Sequence, residues 1–169
     1  MNRGLLLTMT EPPPSMEEEF NAWYDDEHLA ERLSIPGFQT AKRWVADVAP
    51  GQGKYLGTYE LDSPGVLQSQ SYLARFQNQT PWSKRCLGKC VVFRRWACEQ
   101  VAPGNAPSRP EAKALWLGLG DSLPTVAAPA RVFHDPAGKP RYAVIVEDAP
   151  RPEIPGWEFR LYRAYTKKA

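Results

Sequence analysis

The sequence predicts an α+β fold made of two units, and three observations support this. Over residues 1–100, short apolar runs alternate with two segments that carry helix start and stop signals. Seven of the 17 prolines lie in residues 1–100 and ten in the shorter remainder, so the last third is expected to hold strands and loops without a long helix. The 169-residue chain has 43% hydrophobic and 24% charged residues, which is typical of a globular protein.

The N-terminal unit begins with a strand and a helix. Residues 4–10 (GLLLTMT) form a short apolar run, and three consecutive prolines then stop the strand. Ser15 is a good helix N-cap, and Glu18 three residues later completes a capping box. The Pro-Gly pair at 36–37 should end this helix at about Ile35.

Three more strands and a second helix complete this unit. Residues 38–48 and 55–61 flank the turn sequence PGQGK, which predicts a hairpin. The Ser-Pro pair at 63–64 starts a helix that runs to about Phe76, and residues 91–101 form the fourth strand. The resulting order, β-α-β-β-α-β, is that of a ferredoxin-like unit.

Residues 101–112, rich in Pro, Gly, Ser and Asn, are predicted to link a domain over residues 1–100 to a β-rich C-terminal unit over residues 113–169. The four strand-like segments of that unit are 114–120, 130–134, 141–147 and 157–165. They could be a degenerate repeat of the first unit, with its helices shortened to loops. Alternatively, they extend the first sheet and cover one of its edges.

Charge and composition set aside several functional classes. The net charge of +2 is too balanced for a dedicated nucleic-acid binder, and no apolar run is long enough for a transmembrane helix. No signal peptide is predicted, and an odd number of cysteines, three, favours a reduced cytoplasmic chain over a disulfide framework. No metal site or cofactor is expected, because neither ligand-like His/Cys spacing nor a Gly-rich phosphate loop occurs.

The first predicted helix carries the motif F-N-x-W-Y-x-x-E-H, and P-G-F follows at residues 36–38. The motif residues are Phe20, Asn21, Trp23, Tyr24, Glu27 and His28. This pattern resembles the EthD-like branch of the dimeric α/β-barrel superfamily, over about residues 1–100. The resemblance implies a ferredoxin-like unit whose sheet packs on a second sheet, which another subunit supplies in a homodimer. It also implies a pocket between the helices and the sheet.

Two candidate catalytic residues lie on this helix, Glu27 and His28. At 100° per residue, Glu27 falls on the otherwise apolar face, where a carboxylate needs a partner, water or a cavity, and His28 lies on its flank. His28 could be a general acid/base, with Glu27 as its electrostatic partner. Alternatively, His28 only hydrogen-bonds a backbone carbonyl and packs the helix on the sheet.

The other candidate residues would bind the substrate. Trp23 and Trp44 could stack on a flat ligand, and Arg43 could bind an anionic group, although core packing is the more common role of such tryptophans and an ordinary ion pair the more common role of such an arginine. Phenolic hydroxyls could donate to a carbonyl or enolate, although tyrosine is also a common strand residue. The full set of candidate substrate-binding residues is Phe20, Trp23, Tyr24, Arg43, Trp44 and Tyr59.

The resemblance implies a cofactor-free enzyme that transfers a proton on an aromatic, lactone or polyketide-like small molecule, as an isomerase, cyclase, lyase or monooxygenase. Two alternatives remain open at this point. One is a non-catalytic small-molecule-binding or accessory protein of a bacterial catabolic pathway. The other is a structural protein in which the polar motif only stabilises the helix–sheet junction. Fold resemblance alone does not decide among them.

Overall fold

A computed structural model describes residues 1–167. The strands are β1 (Gly4–Glu11), β2 (Lys42–Val45), β3 (Tyr55–Leu61), β4 (Val92–Ala102), β5 (Ala114–Gly120), β6 (Arg131–His134), β7 (Tyr142–Glu147) and β8 (Phe159–Ala164). The helical elements are α1 (Glu17–Trp23), a π-helical segment (Tyr24–His28), α2 (Leu29–Leu33), α3 (Gln70–Gln77) and α4 (Pro81–Gly88), with 3-10 turns at Pro14–Met16 and Pro64–Gln68.

The eight strands close into one barrel in the order β1-β3-β2-β8-β5-β7-β6-β4, and every neighbouring pair is antiparallel. Strands β1–β4 are arranged as β4-β1-β3-β2, and strands β5–β8 as β8-β5-β7-β6. The same relative order therefore occurs in both halves of the chain. The halves meet at two short ladders, with two residue pairs between β2 and β8 and three between β4 and β6.

The predicted fold class is wrong. Each predicted strand segment does contain a strand, but the structure is a closed eight-stranded antiparallel barrel with few helices. It is not a ferredoxin-like unit that forms a dimeric α/β barrel and carries a β-rich extension. Strands β6 and β8 pair with β4 and β2, the strands that would otherwise be the free edges of a four-stranded sheet. The division of the chain at residues 101–112 stays a prediction.

The barrel interior is the main hydrophobic core. Inward-facing residues alternate along each strand, as expected for a closed sheet. On β1, for example, Leu5, Leu7 and Met9 all belong to the interior cluster. Two tryptophans, Trp44 and Trp96, fill the interior and are at most 2% exposed. The interior is therefore packed with side chains rather than open as a channel.

The outer faces of the two halves are covered differently. The helices contribute to two clusters with outward residues of strands β1 and β3, such as Leu6 and Tyr59. Strands β5–β8 are covered instead by loop residues such as Ile154 and Trp157. The predicted capping box is not formed, because Ser15 lies inside the 3-10 turn that precedes α1. Within residues 1–167, none of the helices is long and apolar enough to span a membrane.

Candidate functional site

The first helix is interrupted by a π-helical segment at the residues of the sequence motif. The buried residues Phe20, Tyr24, His28 and Arg32 are spaced by four. In a regular α-helix, each step of four rotates a residue by about 40° from the previous one. The wider π-helical turn offsets this drift and keeps the four side chains on the buried face, and such π segments are frequent at functional sites.

His28 is enclosed by aromatic rings. Its ring stacks on Trp23 at 4.4 Å between centroids, and Tyr24 and Tyr59 meet it edge-on at 5.0 and 6.2 Å. The side chain is buried, and its Nδ1 atom has no hydrogen-bond partner among the described residues. Burial, with the nearby charges of Arg32 and Arg43, holds the pKa of His28 well below its usual 6.5, so the imidazole is neutral at neutral pH.

A cavity of about 50 Å³ lies between the helices and the outer face of strands β1, β3 and β4. Five buried side-chain atoms of residues 1–167 lack a hydrogen-bond partner, and four of them belong to residues that line this cavity. They are Thr8 Oγ1, His28 Nδ1, Arg32 Nη1 and Tyr59 Oη. Buried polar atoms are nearly always paired, so this concentration distinguishes the cavity from the rest of the molecule.

Electrostatically, the cavity is positive. Arg32 and Arg95 are on its lining, and no Asp or Glu of the described part of the chain is. Burial raises the pKa of Tyr59 well above 10, so its hydroxyl stays protonated and can donate a hydrogen bond. With His28 neutral, the lining combines one potential base with several donors.

Glu27 lies next to His28 in sequence but does not line the cavity. Its carboxylate accepts hydrogen bonds from Trp23 Nε1 at 3.0 Å, Thr80 Oγ1 at 2.8 Å and Ser83 Oγ at 3.4 Å. Thr80 is the N-cap of α4, so Glu27 ties the π-helical segment to the start of that helix. This arrangement makes Glu27 a positioning residue for the wall of the site.

The structure brings three predicted site residues together at the cavity, Tyr24, His28 and Tyr59. Phe20 and Trp23 pack behind them in the same aromatic cluster. The sequence reasoning missed the lining residues Thr8, Arg32, Tyr72 and Arg95. The signal that could have found Arg32 is its spacing of four from His28 and eight from Tyr24.

Arg43 and Trp44 lie away from this cavity. The Arg43 guanidinium lies 4.2 Å from the ring centroids of both Tyr24 and Tyr165. It donates a hydrogen bond to Asn21 Oδ1 at 2.9 Å and is not part of the cavity lining. Trp44 points into the barrel, where its indole N–H donates to Thr58 Oγ1 at 2.9 Å.

A second cavity, of about 380 Å³, opens at one end of the barrel. On its lining, the buried Arg131 donates to Glu60 and Glu147, each at 2.7 Å. Glu147 also accepts from the backbone N–H of Arg109 at 3.1 Å, and Lys42 donates to a backbone carbonyl of the same segment, also at 3.1 Å. The charged groups on this lining are paired with one another or hold the segment that follows β4 by hydrogen bonds. We therefore assign them a structural role.

No protein-family model matches the chain, and no curated protein matches it. Among solved structures, the chain is similar to one described as an anthrone oxidase-like protein, with a TM-score of 0.59 and 9% sequence identity. The match covers 98% of this chain and 92% of that one. At this identity, the likeness concerns the fold alone.

Proposed function

We propose that this protein is a cofactor-free, EthD-like small-molecule enzyme in which His28 transfers a proton. The observation that carries the proposal is the His28 Nδ1 atom, which is buried and unpartnered beside the helix–sheet cavity. A histidine that only stabilised the junction would pair this nitrogen with a neighbouring group, as buried polar atoms generally do. In the proposed reaction, this nitrogen accepts the proton instead.

The charge states of the lining residues suit proton abstraction. The lowered pKa of His28 makes its imidazole a proton acceptor at neutral pH. The raised pKa of Tyr59 keeps the phenol protonated, so it can stabilise a developing oxyanion by donating a hydrogen bond.

The proposed step begins with an aromatic, lactone or polyketide-like substrate that has an acidic C–H bond next to a carbonyl. The C–H bond breaks, its electron pair moves onto the carbonyl oxygen, and the proton binds to His28. Tyr59 donates a hydrogen bond to that oxygen. When the imidazolium returns the proton to another atom of the same molecule, the net reaction is an isomerisation. In a cyclisation, the carbanion attacks a second carbonyl of the substrate and the new alkoxide takes the proton; in an elimination, the bond to a β leaving group breaks and that group takes the proton. None of these reactions needs an oxidant. In a monooxygenase, dioxygen would instead oxidise the carbanion: one oxygen atom becomes a carbonyl on that carbon and the other leaves as water.

The alternative is a non-catalytic small-molecule-binding protein. The unpartnered polar atoms on the cavity lining also fit this candidate, since a bound ligand would pair them without any reaction. The cavity, of about 50 Å³, admits only a few atoms of a ligand. In an enzyme, the reacting end of the substrate enters the cavity and the remainder stays at its mouth.

Solvent deuterium exchange tests the proposal without knowledge of the natural reaction. Small lactones, cyclic β-diketones and phenylpyruvate are incubated in D₂O with wild type, with His28→Asn and with the matched control His134→Asn, and exchange at carbon is followed by NMR. We expect wild type and His134→Asn to accelerate exchange of at least one probe and His28→Asn to lose at least 100-fold of that rate. Equal rates in wild type and His28→Asn would exclude His28 as the base, and specific binding without exchange would favour the binding protein.

A further inference from the structure

We infer that this cavity takes a carboxylate, held by Arg32, and that the ligand is a carboxylic acid whose apolar part lies at the cavity mouth. The inference deepens the proposed function and rests on it for the identification of the site. Its evidence is separate, because it concerns the charge of the ligand rather than the proton acceptor.

Arg32 is a buried cation without a counterion. Its side chain is 7% exposed, its Nη1 atom has no hydrogen-bond partner, and it forms no salt bridge within residues 1–167. The guanidinium lies over the ring of Tyr72, 5.5 Å from its centroid. An aromatic ring face stabilises a buried cation far less than a carboxylate counterion does. Buried charges are ordinarily paired with an opposite charge. A bound anion would supply the missing partner.

The other polar groups on the lining suit the same ligand. The Thr8 hydroxyl can donate a hydrogen bond to the carboxylate, whereas Tyr59 remains the donor to the carbonyl oxygen of the proposed reaction. Arg95, also on the lining, is exposed and donates to Tyr72 Oη at 2.9 Å. Without an acidic residue on the lining, an anion entering the cavity meets donors and cations and no repulsion.

The dimensions favour a carboxylate over a larger anion. One water molecule needs about 10–15 Å³ of cavity volume of this kind, so the cavity of about 50 Å³ accommodates a group of a few atoms. A carboxylate is planar and carries one charge, which matches the single planar guanidinium that is buried here. A phosphate dianion would bring twice the charge to one buried cation.

The exposed part of the cavity lining combines Arg95 with two phenylalanines. Phe76 on α3 and Phe93 on β4 belong to the lining, yet each is 50% exposed. Leu73, one turn before Phe76, and Val91, two residues before Phe93, are exposed as well, at 39% and 60%. Large apolar side chains exposed as a group commonly mark a binding surface. Here Phe76 and Phe93 are placed to cover the hydrocarbon part of an acid whose carboxylate reaches Arg32.

Calorimetric titration tests this inference without any turnover. Benzoate and 3-phenylpropionate are the probes, benzamide is the neutral analogue, and inorganic phosphate is the larger anion. The proteins are wild type, Arg32→Met and the matched control Arg75→Met, which replaces an exposed arginine of α3 outside the lining. Thermal unfolding of each variant confirms that it folds, and Arg32→Met should melt no lower than wild type because methionine removes an unpaired buried charge.

We expect at least one carboxylate to bind wild type and Arg75→Met at least tenfold more tightly than it binds Arg32→Met. Benzamide should bind wild type at least tenfold more weakly than benzoate. The inference is overturned if neither carboxylate binds, if benzamide binds equally well, if Arg32→Met binds like Arg75→Met, or if phosphate is the preferred anion. Carboxylate binding that depends on Arg32, without exchange catalysed by His28, would leave this inference standing while the proposed reaction fails. Deuterium exchange that depends on His28 but not on Arg32 would support the proposed reaction, while this inference about the carboxylate would fail.

Discussion

Trp23 stacks on His28, with ring centroids 4.4 Å apart and ring planes inclined by 29°. The same indole donates its N–H to Glu27 at 3.0 Å and to Ser83 Oγ at 3.1 Å. One side chain thus joins the candidate base, the π-helical segment and helix α4. The position of His28 therefore depends on residues that never touch the cavity.

The first prediction concerns the pH dependence of stability. The pKa of His28 is lowered in the folded state, so the unfolded chain binds this proton more readily, and stability decreases as the pH falls below about 6.5. For one group, the free energy of unfolding changes by at most about 1.4 kcal/mol per pH unit. His28→Asn should remove this contribution between pH 4.5 and 7, as measured by urea unfolding, whereas His134→Asn should keep it. Parallel curves for His28→Asn and wild type would contradict the assignment.

The second prediction concerns Glu27. Glu27→Ala removes the acceptor for Trp23 and Thr80 and should lower the free energy of unfolding by about 2 kcal/mol. Glu27→Gln keeps one acceptor oxygen and should cost less. Hydrogen exchange should become faster in α4 and in the π-helical segment of Glu27→Ala but not in strand β7. Unchanged exchange in α4 would show that Glu27 does not hold that helix.

The third prediction concerns Gly57, which pairs with Thr8 across strands β3 and β1. A Cβ atom at Gly57 would lie 2.6 Å from Thr8 Oγ1 and 3.2 Å from Tyr59 Oη, so both hydroxyls must shift. Gly57→Ala should cost about 1–3 kcal/mol of stability. It should also weaken binding of a carboxylate probe at the cavity.

Gly88→Ala is the control for that substitution, because a Cβ atom there would contact nothing within 4 Å. Gly88→Ala should leave carboxylate binding unchanged in the same titration. Wild-type affinity in Gly57→Ala would mean that neither hydroxyl takes part in binding.

The fourth prediction concerns the buried Arg131. Arg131→Met leaves Glu60 and Glu147 without their partner and should lower the free energy of unfolding by about 3–5 kcal/mol. The triple variant that also replaces Glu60 and Glu147 with Leu should recover much of this loss, since apolar residues of similar volume often substitute for buried ion pairs. Equally low stability in the triple variant would show that the charges do more than pair with one another.

Local sequence signals predicted the elements better than their arrangement. Apolar runs such as residues 4–10 and 141–147 marked strands correctly, because a buried strand needs apolar residues over its whole length. The pairings of β4 with β6 and of β2 with β8 involve residues far apart in the chain, and no local pattern reports them. The predicted fold class was wrong because these two long-range strand pairings were not predicted.

The candidate site shows the same division. The motif located His28 and Tyr24 because aromatic and ionisable residues on an apolar helix face are conspicuous in a sequence. It misplaced Glu27, because a uniform rotation of 100° per residue omits the π-helical turn that directs Glu27 toward α4. Thr8 and Arg95 reach the cavity through strand pairing, and neither carries a signal in the sequence.

The two halves of the barrel, strands β1–β4 and strands β5–β8, are joined by only two short ladders, β2–β8 and β4–β6. The barrel can therefore open at these two ladders. Mechanical pulling on Ala102 and Ala114 should therefore meet its lowest resistance where the halves meet, before either four-stranded sheet loses its internal pairing. If so, the helix–sheet cavity, which lies entirely within residues 1–102, would outlast the separation of the two halves.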